Sequence, residues 1–295
     1  PMSNFARMPG IVAALVLMFT FVGSANAAII QINNNDGPGE GFNDTTPRAP
    51  VGGNSGNTLG EQRLIALQAA ADLLAIRIAS SVMIQVDAEF NMLQCAPNSA
   101  AIGAAGATAF FADFPNVPIA NTFYPVALAN ALAGEDMDGR ADIDAVFNSG
   151  IDDNPLCLVG VDWYYGLDDM PGNDLNFLST ATHELVHGLG FVTITNLVTG
   201  AFGDGSPDIF ATLIRDLTFD ATWPQLTAQQ RSVSAQNDGN VVWDGVSTTQ
   251  SGAASLSNGT NQGQVQLYAP APLEQGSSIS HWDVSLSPNA LMEPF

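Results

Sequence analysis

The stretch His183-Glu184-Leu185-Val186-His187-Gly188-Leu189-Gly190-Phe191 decides how this chain is read. Four residues along a helix advance the chain by about 400°, so side chains at i and i+4 leave the same face one turn apart. His183 and His187 stand at that spacing, and two neutral imidazoles so placed can share one metal ion. Zinc is the usual partner of nitrogen donors in a tetrahedral site with one open position. Glu184, next to the first histidine, reaches a water on the metal without binding the metal itself. It is the expected general base for that water and the carrier of its proton to a leaving amine. The surrounding sequence, Leu175 to Phe191, has helical character. Asn173 or Asp174 is the expected cap, and Gly188 and Gly190 are expected to end the helix.

A catalytic zinc takes three protein ligands. The extended form of the motif, HExxHxxGxxH, keeps its glycine here as Gly190, but position 193 is Thr193, a poor zinc donor. The chain has only three histidines, and the remaining one is His281. It is the expected third ligand. A carboxylate is the alternative donor, and Asp283 is the nearest one. Ser280 and Asp283 flank His281 and are candidates to support it through hydrogen bonds.

HELVHGLGF, then a distant His281-Trp282, then Leu291-Met292 eleven residues after that histidine, resembles the leishmanolysin-like branch of the metzincin zinc peptidases. In that family a long insertion separates the motif's glycine from its third histidine. Here 93 residues lie between His187 and His281. The resemblance implies His183, His187 and His281 as zinc ligands, Glu184 as general base and Met292 as the Met-turn methionine beneath the metal. It also implies two subdomains flanking a cleft, with a further helix after the Met-turn and so more chain beyond Phe295. Some family members are kept latent by a pro-segment cysteine on the zinc. No cysteine lies between Ala27 and Cys95, so latency by that route is not expected.

Composition agrees with an exported globular protein. Of 295 residues, 46 % are hydrophobic, enough for a sizeable core. The formal net charge is −22 and every basic residue is an arginine, which argues against nucleic acid or anionic membrane as a partner. Arg7, the apolar run Ile11–Gly23 and the small residues up to Ala27 read as a signal peptide, residues 1–27, rather than a membrane anchor. The two cysteines, Cys95 and Cys157, are expected to form a disulfide in an exported chain. The acidity is read mainly as solubility. Calcium binding is the sharper alternative, with Gly134–Asp144 the densest carboxylate run, although that run lacks the EF-hand spacing.

Along the chain, residues 28–60 read as an irregular lead-in or pro-segment. Thr58 and Glu61 form a capping-box pattern opening a helix to about Ser80, with Leu64, Leu67, Ala71, Leu74 and Ile78 as its apolar face. Met83–Phe90 alternates as a half-buried strand. A short helix is expected at Pro125–Ala133, a strand at Ile143–Asn148, a helix opened by Thr227 and Gln230, and a strand at Val265–Tyr268. The predicted class is α+β, a metzincin-like catalytic domain with an N-terminal part at 61–190 and a C-terminal part at 191–295. The expected function is that of a secreted zinc endopeptidase acting on protein or peptide substrates. The alternatives are a non-catalytic secreted binding or adhesion protein that keeps its metal for stability, and a zinc hydrolase of non-peptide amides.

Overall fold

The computed structural model describes residues 27–294. All of the expected signal peptide but Ala27 lies outside the described residues. The chain mixes helices with several small sheets. The largest sheet has four strands: β1 (Ile30–Asn34), β2 (Ile84–Asn91), β3 (Gly103–Ala107) and β4 (Ile143–Asn148), in the order β1-β2-β4-β3. The pairs β1/β2 and β2/β4 are parallel, with Ile30 opposite Ile84 and Val86 opposite Ile143; β3 runs antiparallel to β4, with Ala105 opposite Ala145.

The alternation in β2 sets the sheet's inner face: Ile84, Val86, Ala88 and Phe90 are buried, while Gln85, Asp87 and Glu89 are half-buried on the other face. Two helices cover the inner face, α1 (Leu59–Ala75) and α4 (Phe177–Gly188). Between them in sequence lie α2 (Val126–Ala133), which begins after Pro125 and is closed by the left-handed Gly134, and the single turn α3 (Gly150–Asp153). Phe177, fully buried, is the hub of this core. Its ring centroid lies 4.9 Å from Phe147, 5.3 Å from Phe90 and from Trp163, and 5.4 Å from Tyr165. Truncating such a ring costs ~3–5 kcal/mol, so the start of the histidine-bearing helix is fixed by packing rather than by propensity.

Three local expectations are corrected. The lead-in is not irregular throughout, because Ile30–Asn34 is a sheet strand whose first residue buries against the core. Helix α1 opens as expected, with Thr58 Oγ1 accepting from the Glu61 N–H, but it ends at Ala75 rather than Ser80. There the carbonyls of Ala75 and Ile78 are taken by the N–H of Ala28, which leads into β1. The buried stripe of α1 is also turned from the expected face. Leu67, Ala71 and Leu74 are inside, but Leu64 is 36 % exposed and Arg63 is fully buried. Arg63 takes that place because its charge is matched: Nη2 donates to Asp152 at 2.9 Å, Nε to the Tyr165 hydroxyl at 3.0 Å and Nη1 to the Gly41 carbonyl at 3.0 Å.

Cys95 and Cys157 are joined as a disulfide, with their Cα atoms 5.3 Å apart. A second hydrophobic cluster, built from Phe210, Ala211, Ile214, Trp223, Leu226, Ala235, Val241, Leu267, Ala269 and Ile279, lies entirely beyond the end of α4 in sequence. It surrounds a small antiparallel sheet in which Ile214–Asp216 pairs with Ala221–Thr222 and with Val241–Trp243. The helix opened by Thr227, α5 (Ala228–Ser234), has the full capping box with Gln230.

Candidate metal centre

Helix α4 begins one residue after a short parallel ladder, Leu175–Asn176 against Trp163–Tyr164. That ladder moves the cap from the expected Asn173 or Asp174 to Asn176, whose Oδ1 accepts from the Ser179 N–H at 3.2 Å. The helix ends in a Schellman turn: Gly190 N–H donates to the His187 carbonyl and Phe191 N–H to the Val186 carbonyl. Gly188 is thus the last helical residue rather than the stop. Gly190 is the residue the turn requires. Its φ is +115°, and a Cβ there would stand 2.6 Å from Pro125 Cγ.

His183 and His187 leave the helix on one face, and the distant segment brings His281 to them. The three Nε2 atoms form a nearly equilateral triangle, 3.1 Å from His183 to His281, 3.1 Å from His183 to His187 and 3.2 Å from His187 to His281. Each Nδ1 faces a backbone carbonyl: His183 donates to Leu291 at 2.6 Å, His187 to Phe191 at 2.8 Å and His281 to Ser277 at 2.8 Å. A carbonyl only accepts, so each Nδ1 carries the proton and each Nε2 presents a lone pair when the ring is neutral. Three lone pairs then point at one another with no donor among them, an arrangement that a cation in their midst resolves. Tetrahedral zinc with bonds of ~2.0–2.1 Å separates its nitrogen ligands by about 3.3–3.4 Å, close to the observed triangle. Among the described residues this is the one set of three or more metal-type donors that converges. The three histidines can hold a metal ion.

Burial keeps these rings neutral. It lowers the pKa of His183, takes that of His187 down to about 4, and, together with the neighbouring His187, takes that of His281 down to about 3. Glu184, 7 % exposed, is on the same turn of α4. Burial raises its carboxyl to about 7, opposed by a hydrogen bond from the Ala105 backbone in β3. Gly103, two residues earlier on that strand, passes so near that a Cβ on it would stand 3.3 Å from Glu184 Cγ. β3 is the last strand of its sheet, and its far edge pairs with no strand among the described residues.

The tail anchors both sides of the triangle. Leu291 gives its carbonyl to His183, and the next residue, Met292, is buried and accepts from the Trp282 N–H at 2.8 Å. Trp282 in turn packs its ring against Phe191 (4.8 Å) and Trp243 (5.9 Å), so the residue after His281 is clamped to the turn that closes the helix. Thr193 is not a ligand; its hydroxyl donates to Asp208. Asp283 is outside the triangle as well, its carboxylate accepting from the Ser285 N–H. In the acidic run 134–144, Asp136 and Asp138 accept from the backbone of their own loop and Asp138 pairs with Arg140. Among the described residues, no three carboxylates of that run converge as a donor set.

Sequence reasoning did not find Phe191 as a clamp, Asp208, or the three carbonyls that fix the tautomers. Carbonyls carry no sequence signal, and Phe191 and Asp208 look like any apolar and any acidic residue. Comparison with protein-family models, with curated proteins and with solved structures finds no match to this chain.

Proposed function

We propose that the chain is a secreted zinc-dependent endopeptidase of the metzincin type, leishmanolysin-like in its motif. The observation that carries this reading is the convergence of three imidazole lone pairs beside a buried carboxylate, next to the free edge of a strand. His183, His187 and His281 would hold the zinc, which supplies a Lewis acid that polarises a carbonyl and acidifies water. Glu184 performs the proton work. Its burial gives it a basicity near neutrality, so it can accept a proton from the attacking water and return it to the departing amine. The edge of β3 that no strand among the described residues pairs suits an extended peptide, whose backbone would add alongside it and bring its carbonyl past Glu184, which already accepts from the Ala105 backbone. The buried Met292 and the Gly190 turn agree with the Met-turn and glycine of that family.

Export rests on the sequence of residues 1–27; among the described residues no helix is long and apolar enough to cross a membrane. The deciding experiment is digestion of casein and of a peptide library by purified protein, with and without a chelator, alongside Glu184→Gln. Chelator-sensitive cleavage of peptide bonds that the variant loses supports the reading. Full zinc occupancy with no cleavage of any peptide bond overturns it in favour of a metal-stabilised binding protein.

A further inference from the structure

The three rings must meet within a few tenths of an ångström although two sit on α4, packed on the first core, and His281 sits in a segment packed on the second. Asp208 stands where the chain leaving α4 meets the second core. It is 1 % exposed, and no arginine pairs with it among the described residues. Its carboxylate gathers donors from separate segments. Oδ2 accepts from Thr193 Oγ1 at 2.7 Å and from the Ile194 N–H at 3.1 Å, with Thr195 Oγ1 at 3.5 Å, while Oδ1 accepts from the Ala211 N–H at 2.8 Å. The backbone on both sides of Asp208 is stitched to Phe123, with Phe123 N–H donating to Pro207 and Ile209 N–H to Phe123. The chain leaving α4 is thereby held at Thr193, whose own N–H donates to Ser280 Oγ at 3.2 Å, and Ser280 is bonded to His281. Only a carboxylate can accept from all of these donors, because an amide would turn an NH2 toward some of them.

We propose that Asp208 is a positioning residue for the metal centre: through Thr193 and Ser280 it holds His281 in register with His183 and His187. The inference rests on the metal-holding reading of the three histidines and not on peptidase activity. A buried carboxylate without a cationic partner is costly. The return is a fixed distance between the helix exit and the third ligand.

The test is zinc affinity, measured by competition with a chromogenic chelator on metal-stripped full-length protein. The proteins compared are the wild type, Asp208→Asn, Ser280→Ala, the double variant and a control, Asp216→Asn. Asp216 is equally buried in the second core, and its carboxylate holds the Thr218 and Phe219 N–H groups and Asn237, but none of those bonds leads to His281. Residues that orient metal ligands typically contribute 10–100-fold in affinity, so Asp208→Asn should weaken zinc binding by about 10-fold or more. Ser280→Ala should weaken it less, and should add little in the double variant because both lie on one path. Asp216→Asn should stay within about twofold of the wild type, even where its melting temperature falls as far.

Wild-type affinity in Asp208→Asn, or equal losses in Asp208→Asn and Asp216→Asn, overturns the proposal. Should Asp208→Asn fail to fold, Ser280→Ala decides alone, and unchanged affinity there overturns it. A wild type that binds no zinc removes the metal centre itself and this inference with it. A zinc-binding chain that cleaves no peptide leaves the positioning result fully readable.

Discussion

His183 and His281 are 98 residues apart in the chain, yet their Nε2 atoms lie 3.1 Å apart, with each ring's other nitrogen held by a backbone carbonyl. Nothing local to either residue produces that distance. It follows from two cores meeting along the end of one helix.

Removing the third ring should separate metal binding from folding. His281→Ala is expected to lose zinc, from about one equivalent to near none by elemental analysis, because three protein ligands define such a site. A ligand at 100 times its Kd stabilises the folded state by ~2.7 kcal/mol. Zinc should therefore raise the melting temperature of the wild type but not of this variant. Equal zinc content in the two proteins would remove His281 from the site.

Glu184→Gln keeps the shape of the side chain and removes its basicity. The variant should retain zinc and lose ~10²–10⁴-fold in kcat, the usual contribution of a general base. Activity within a few-fold of the wild type would assign the proton transfer to another group.

The metal-free protein should be acid-sensitive through its histidines. Their folded pKa values are lowered from 6.5, to about 4 for His187 and about 3 for His281, so the unfolded chain binds more protons as pH falls below 6.5. That stability is present above pH 6.5 and is lost as pH falls toward the folded values. Glu184 opposes this. Raised from 4.5 to about 7, it contributes stability below pH 4.5 that is lost as pH rises through about 7. Asp142 and Asp208, which burial also raises, act in the same sense as Glu184. The three buried rings are expected to outweigh these carboxyls, so the urea midpoint of chelator-treated protein should drop between pH 6.5 and 4.5. The drop should shrink in His187→Asn, and a flat midpoint over that range would contradict the neutral, buried rings.

The disulfide should matter to stability and not to the metal. It joins Cys157, buried against the first core, to a two-strand hairpin at 95–100, alongside the backbone hydrogen bond from Leu158 to Ala96. Replacing both cysteines by serine is expected to cost ~2–4 kcal/mol, read as a lower urea midpoint. Zinc affinity should be unchanged, since neither sulfur nor the hairpin touches the histidine triangle.

The motif on α4 was legible because it is local. Residues at i and i+4 share a helix face wherever the helix sits, and the scarcity of histidine left His281 as the remaining imidazole. The alternation of β2 was legible for the same reason. The apolar face of α1 was misjudged at Leu64 and Arg63 because hydropathy does not see that Asp152, far along the chain, neutralises a buried guanidinium whose Nε also donates to the Tyr165 hydroxyl. β1 was missed because its short alternation is embedded in turn-forming residues, and its partner is 54 positions away.

What the sequence by itself determined, then, is the donor set: two imidazoles on one face of a helix, a carboxylate beside the first, and one imidazole in reserve. Only the tertiary structure decided that the reserve ring arrives, which nitrogen it offers, and how closely it is held. Those depend on carbonyls, a tryptophan wedge and a buried aspartate that meet when two cores pack together, and contacts between distant segments leave no periodic trace in the chain that forms them.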